Sequence, residues 1–148
     1  MKKSEWLYEL CIYLLALLFL FTALSKILDF RHFVREMNNQ VFNKLFASIL
    51  IIAVPTIEII ASFLLLRFKY RLKGLWLSFI LMATFSIYVG LVTFHFFPRV
   101  PCACAGVFKH MTWPEHLLFN IAFTLIALIG LGLNAKVKIS TSKAESSL

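Results

Sequence analysis

The stretch Leu7–Leu28, LYELCIYLLALLFLFTALSKIL, decides the fold of this chain because it is long and almost entirely apolar. A helix needs about 20 such residues to cross the hydrocarbon of a bilayer. Three further stretches meet this requirement: Leu45–Leu66, Leu75–Phe97 and Glu115–Leu133. The sequence therefore predicts an all-α fold, an integral membrane bundle of four transmembrane helices.

The composition agrees with a membrane protein and disfavours a nucleic-acid-binding one. Hydrophobic residues make up 61% of the 148 residues, where soluble domains have about 45–50%. The net charge of +8 comes from Lys and Arg at the ends of the apolar stretches, and the chain has no glycine-rich phosphate loop or basic–aromatic patch. We expect one transmembrane domain over residues 1–135 and a disordered cytoplasmic tail over 136–148.

The positive charges also predict which connections face the cytoplasm, because cytoplasmic loops carry more Lys and Arg. Nine Lys and Arg residues lie in the N-terminus, the second connection and the tail, and six lie in the first and third connections. Both termini are therefore predicted to be cytoplasmic, with the first and third connections outside. The first stretch exceeds the roughly 7–15 apolar residues of a signal peptide, so we expect it to be retained.

The first connection, residues 29–44, has apolar residues at helical spacing with polar residues between them. The apolar residues are Phe30, Phe33, Val34, Met37 and Val41. This pattern predicts a short helix lying in the membrane interface. A solvated connector that caps the bundle is the alternative.

The third connection contains a Cys-x-Cys pair, Cys102 and Cys104, followed by a turn-forming Gly106. An extracytoplasmic position would permit a disulfide, and one that spans a single residue is strained and therefore easily reduced. A redox pair is the first interpretation. The second is a metal clamp with one or two nearby histidines, His95, His110 and His116, although the spacing matches no standard zinc site. The third is a tight loop without chemistry.

The third cysteine, Cys11, is expected to be a packing residue. It lies about one turn into the first helix, near the predicted cytoplasmic end. A disulfide needs Cα atoms within about 7 Å, and the outer loop is roughly a bilayer thickness away.

Three polar residues inside the predicted spans are further candidates, because ionisable groups at depth are costly and often functional. Glu58 lies near the middle of the second span, three residues after Pro55. Lys26 is a possible partner, or it extends to the interface. Glu58 has a structural role or handles a proton or ligand, and Asn120 could bridge helices.

Four stretches of the sequence resemble the methylamine-utilisation MauE family, within the broader DoxX-like group of four-helix membrane proteins. They are Phe21–Phe30, Pro55–Glu58 with the apolar run that follows, Cys102–Gly106, and Trp113 followed by Asn120. Ala105 stands where the family commonly has Phe.

The resemblance implies a bacterial inner-membrane protein that forms or handles disulfides outside the cytoplasm, with Cys102 and Cys104 as the reactive pair. Its implied partner is a thioredoxin-like periplasmic protein or a disulfide-containing substrate; in the type member's pathway, that substrate is methylamine dehydrogenase. Electrons would leave to a quinone or to another protein, and no resident metal is expected. A non-enzymatic accessory protein with the cysteine loop as a docking surface is the alternative, and a carrier based on Glu58 is third.

Overall fold

A computed structural model describes residues 3–39, 43–94 and 113–147 of the chain. Within these ranges the protein is built from α-helices and one short 3-10 turn, Phe68–Tyr70. The helices are α1 (Lys3–Leu28), α2 (Phe30–Asn38), α3 (Lys44–Leu66), α4 (Arg71–Thr93) and α5 (Trp113–Ser146).

Four of these helices are long and apolar enough to cross a membrane, which confirms the predicted four-helix membrane fold. The segments are Lys3–Leu28, Lys44–Leu66, Phe68–Thr93 and Pro114–Ile139. Large apolar side chains cover their outer surfaces, for example Leu17, Ile52, Ile87 and Leu118. Such a surface is favourable only against lipid, so the protein is a multi-pass membrane protein.

The four long helices form a ring in the order α1, α3, α4, α5, with each helix packed on two neighbours. Their inner faces make one apolar core, whose fully buried members include Ile12, Leu15, Phe19, Leu65 and Leu75. Two interhelical hydrogen bonds add to this packing. The Ser62 hydroxyl donates to the Ala16 carbonyl at 2.9 Å, and the Ser86 and Thr124 hydroxyls lie 3.1 Å apart.

The short helix expected between the first two spans is present as α2. It packs on α3, and its buried side chains are Phe33 and Met37, one turn apart. Phe30 stays half exposed. The apolar face of α2 is therefore partly used to cover the bundle, which fixes α2 beside the ends of α1 and α3.

Helix α5 continues to Ser146, whereas the sequence predicted a disordered tail over residues 136–148. No glycine or proline follows Gly132 to end the helix. Extending an existing helix adds one hydrogen bond for each residue fixed, without a new nucleation cost. At the other end of the bundle, α4 ends at Thr93, and the last residues of the predicted third span, 95–97, lie outside the described residues.

Cys11 is buried, as its predicted packing role requires. Its Cβ lies 3.7 Å from the position that a Cβ on Gly130 would occupy. Cys11 therefore fills the contact between α1 and α5.

Candidate functional site

Lys26 and Glu58 form a buried ion pair between α1 and α3. The Lys26 Nζ lies 2.9 Å from Glu58 Oε1 and 3.1 Å from Oε2. Lys26 lies two residues before the end of α1. Glu58 lies deeper in the bundle, about 12 Å along α3 from its last residue, Leu66. The pair forms because a helical side chain is directed toward the N-terminus of its helix, so Lys26 extends back into the bundle.

The pair is shielded from the surroundings of the bundle almost completely. The side chains of Lys26 and Glu58 are 4% and 3% exposed. The ring centroid of Phe33 on α2 lies 6.0 Å from Nζ. At this burial each charge depends on the other, because an unpaired charge in such an environment costs several kcal/mol. Lys26 is therefore a partner of Glu58 and does not extend to the interface.

A cavity of about 20 Å³ adjoins the ion pair in the interior of the bundle. Polar side chains from three helices line it: Thr22 and Lys26 from α1, Glu58 from α3, and His116 and Asn120 from α5. The Thr22 hydroxyl donates a hydrogen bond to the Phe19 carbonyl at 3.1 Å. The remaining wall is apolar, with Leu18, Phe19, Met82, Phe85 and Phe119.

Asn120 is 4% exposed, and its Nδ2 has no hydrogen-bond partner within the described ranges. Its backbone carbonyl accepts a hydrogen bond from the Thr124 hydroxyl at 2.7 Å. Thr124 is the residue that meets Ser86 on α4. The side chain of Asn120 lines the cavity that α1 and α3 share with α5, and its predicted role as a bridge between helices stays a prediction.

His116 was considered from the sequence only as a ligand in a metal clamp with Cys102 and Cys104. The structure places it in the cavity wall with Lys26 and Glu58, one helical turn before Asn120. The i, i+4 spacing of His116 and Asn120 could have indicated that they share a face. Among the residues that the structure describes, no group of three His, Cys, Asp or Glu side chains could hold a metal ion.

Cys102, Cys104 and Gly106 lie outside the described residues, so their geometry is not part of the site. They belong to the connection that joins Thr93, at the end of α4, to Trp113, at the start of α5. Because successive spans alternate in direction, these helix ends lie at the same end of the bundle as the end of α1.

The cavity does not accommodate a quinone ring. A cavity known to bind benzene measures about 150 Å³, whereas this one measures about 20 Å³.

A second ion pair, Glu9–Arg71, lies at the opposite end of the bundle and was not predicted from the sequence. Arg71 Nη1 donates to Glu9 Oε1, which joins α1 to α4. The Tyr8 hydroxyl donates to Asn134 Oδ1 at 3.0 Å, which joins α1 to α5. The sequence did contain a signal for this pair, because Glu9 lies inside the first span and an acidic residue there needs a partner.

Comparison with known proteins identifies the family of this chain. Among curated proteins and among solved structures, none matches this chain significantly. The family model described as methylamine utilisation protein MauE matches residues 4–133, which include all four membrane-spanning helices apart from their outermost residues. The chain therefore belongs to the MauE family.

Proposed function

We propose that this protein is a membrane-embedded accessory protein that exchanges disulfides through Cys102 and Cys104. The observation that carries the proposal is the family match, because residues 4–133 contain the Cys-x-Cys pair between two helices of the bundle. The family's description supports a role in methylamine utilisation. The partner is a thioredoxin-like protein or a substrate that receives disulfides.

The exchange reaction balances without a resident cofactor. A partner thiolate attacks the Cys102–Cys104 disulfide, forms a mixed disulfide with one sulfur and releases the other as a thiolate. A second thiol of the partner then attacks the partner's own sulfur in the mixed disulfide and releases the cysteine of the pair as a thiol, so the partner gains a disulfide and the pair gains two electrons and two protons. A quinone or another thiol–disulfide protein must remove these electrons before the next cycle.

The bundle supplies a rigid support for this reaction. Helices α4 and α5 pack closely on each other, and this packing fixes the helix ends at which the cysteine connection begins and ends. A site built on rigid elements retains its geometry through repeated exchange.

We also propose the orientation of the chain. An even number of spans puts both ends of the chain on one side. The nine Lys and Arg residues of the N-terminus, second connection and tail favour the cytoplasm for that side. The cysteine connection then faces the periplasm from the inner membrane.

Thiol trapping in intact cells tests the proposal. Free thiols are blocked with a membrane-impermeant alkylating agent, disulfides are then reduced, and the new thiols are labelled with a mass tag. We expect a reducible pair in the wild type and a mixed disulfide with a partner in either Cys102→Ser or Cys104→Ser. Cys11→Ser is the matched control, because Cys11 is buried in the α1–α5 contact and should leave the pattern unchanged.

The alternative is an accessory protein whose cysteine connection is only a docking surface. The exposure of Arg31 and Arg35 on α2 favours it, because a charged surface lies at this end of the bundle. In that case thiols remain reduced and form no adduct. The double variant Arg31→Gln/Arg35→Gln would then impair function while Cys102→Ser would not.

A further inference from the structure

We propose that the cavity beside the Lys26–Glu58 pair is a binding site for one water molecule. This water accepts a hydrogen bond from Asn120 Nδ2 and donates one to the Glu58 carboxylate. It thereby connects α5 to the ion pair of α1 and α3. The site is separate from the cysteine chemistry and does not depend on it.

The size of the cavity selects the ligand. A cavity must offer about 10–15 Å³ or more to hold a water molecule, and this one offers about 20 Å³. Larger polar ligands are excluded by the phenylalanine side chains of the wall, Phe19, Phe85 and Phe119.

The polar groups around the cavity provide the hydrogen bonds that a buried water needs, which number two to four. Asn120 Nδ2 is a donor without a partner in the described part of the chain. The Glu58 carboxylate accepts two contacts from Lys26 Nζ, and a carboxylate has about four acceptor sites. Thr22 lies in the same wall and adds a hydroxyl.

A dry cavity is the competing arrangement, because the surface that the cavity exposes is almost entirely apolar and apolar cavities stay empty. A dry cavity would leave Asn120 Nδ2 buried without a partner. Such an orphan donor is destabilising, and buried polar groups in proteins are nearly always hydrogen-bonded to protein or water. The unpartnered amide therefore favours the hydrated arrangement.

The two arrangements predict opposite signs for the variant Asn120→Leu. If the cavity is dry, leucine removes an orphan donor at nearly constant volume, and the unfolding temperature stays the same or rises. If the water is present, leucine takes away a hydrogen-bond partner of the water, and the unfolding temperature falls by about 2–4 °C.

Infrared spectroscopy of the purified protein in lipid nanodiscs observes the water directly. Spectra recorded in H₂¹⁶O and H₂¹⁸O differ only at bands of water. We expect an isotope-sensitive band of a buried water in the wild type that Asn120→Leu abolishes.

Asn134→Leu is the matched control, the same substitution on the same helix. It removes the direct hydrogen bond from Tyr8, so it should lower the unfolding temperature and leave the water band intact. If Asn120→Leu does not fold, Asn120→Ala replaces it, and the water band should move to higher frequency. A wild-type spectrum without such a band, or a band that neither Asn120 variant alters, overturns the proposal.

Discussion

The two ion pairs of this bundle differ in how much solvent reaches them. Lys26–Glu58 has side chains 4% and 3% exposed, while the side chains of Arg71 and Glu9 are 10% and 29% exposed. Glu9 and Lys26 lie about 26 Å apart along α1. Helix α1 therefore carries two kinds of charge. The charge of Lys26 is stabilised by its partner Glu58, whereas the charge of Glu9 is stabilised both by Arg71 and by water.

Removing one member of the deep pair should have the largest effect. Lys26→Met leaves Glu58 buried and uncompensated, which should lower the free energy of unfolding by about 3–5 kcal/mol. The double variant Lys26→Met/Glu58→Leu should recover most of this loss, because an apolar pair of similar volume needs no compensation. Unfolding by sodium dodecyl sulfate in mixed micelles measures both.

The double variant is the control that separates charge from packing. If the double variant is as unstable as Lys26→Met alone, the lost free energy of unfolding comes from packing around Lys26. The charges of the deep pair would then not explain its contribution to stability. The comparison between the two ends would then fail.

Hydropathy predicted the four spans because each is a continuous run of apolar residues, and amphipathic spacing predicted α2. Glu58, Lys26 and Asn120 were recognisable because polar residues are conspicuous in such runs. The sequence did not show that these three side chains meet at one cavity, because that depends on the relative positions of α1, α3 and α5. Those positions come from close contacts of small residues, such as Ser62 with the Ala16 carbonyl.

The Glu9–Arg71 pair was missed for a related reason. Arg71 was counted among the loop charges that orient the protein, and its role as an interhelical partner depends on the path of the chain around the turn Phe68–Tyr70. Cys102 and Cys104 remain predictions from the sequence and the family. Helix α5 continues to Ser146 because no glycine or proline ends it. The sequence did not predict this continuation, because the polar composition of the tail is typical of disorder.

A second prediction concerns what holds Arg71 in place. One turn later, a Cβ on Gly74 would lie 2.8 Å from the Leu65 nitrogen and 3.1 Å from the Leu64 carbonyl carbon. Backbone atoms cannot move aside as a side chain can, so Gly74→Ala should lower the free energy of unfolding by about 1–3 kcal/mol. The same micellar unfolding experiment measures it.

Gly132→Ala is the control for Gly74→Ala, since nothing lies within 4 Å of the added Cβ. It should be neutral, or stabilising by up to about 1 kcal/mol through helix propensity. If Gly74→Ala is as stable as Gly132→Ala, the α3–α4 contact is loosely packed. The Glu9–Arg71 pair would then be the interaction that stabilises this end of the bundle.

The smallest effect is expected at the exposed member of the second pair. Glu9→Gln removes a charge that water already reaches, so it should lower the free energy of unfolding by only about 0.2–1 kcal/mol, the usual range for solvated pairs. The difference should shrink further at high salt, because mobile ions screen exposed charges. The effect of Lys26→Met should not depend on salt, because its partner is shielded. If both effects respond equally to salt, burial does not distinguish the two pairs. If only the Glu9→Gln effect does, the two ends of the bundle use charge in different ways: one joins helices through a shielded ion pair, and the other lies at a boundary that solvent reaches.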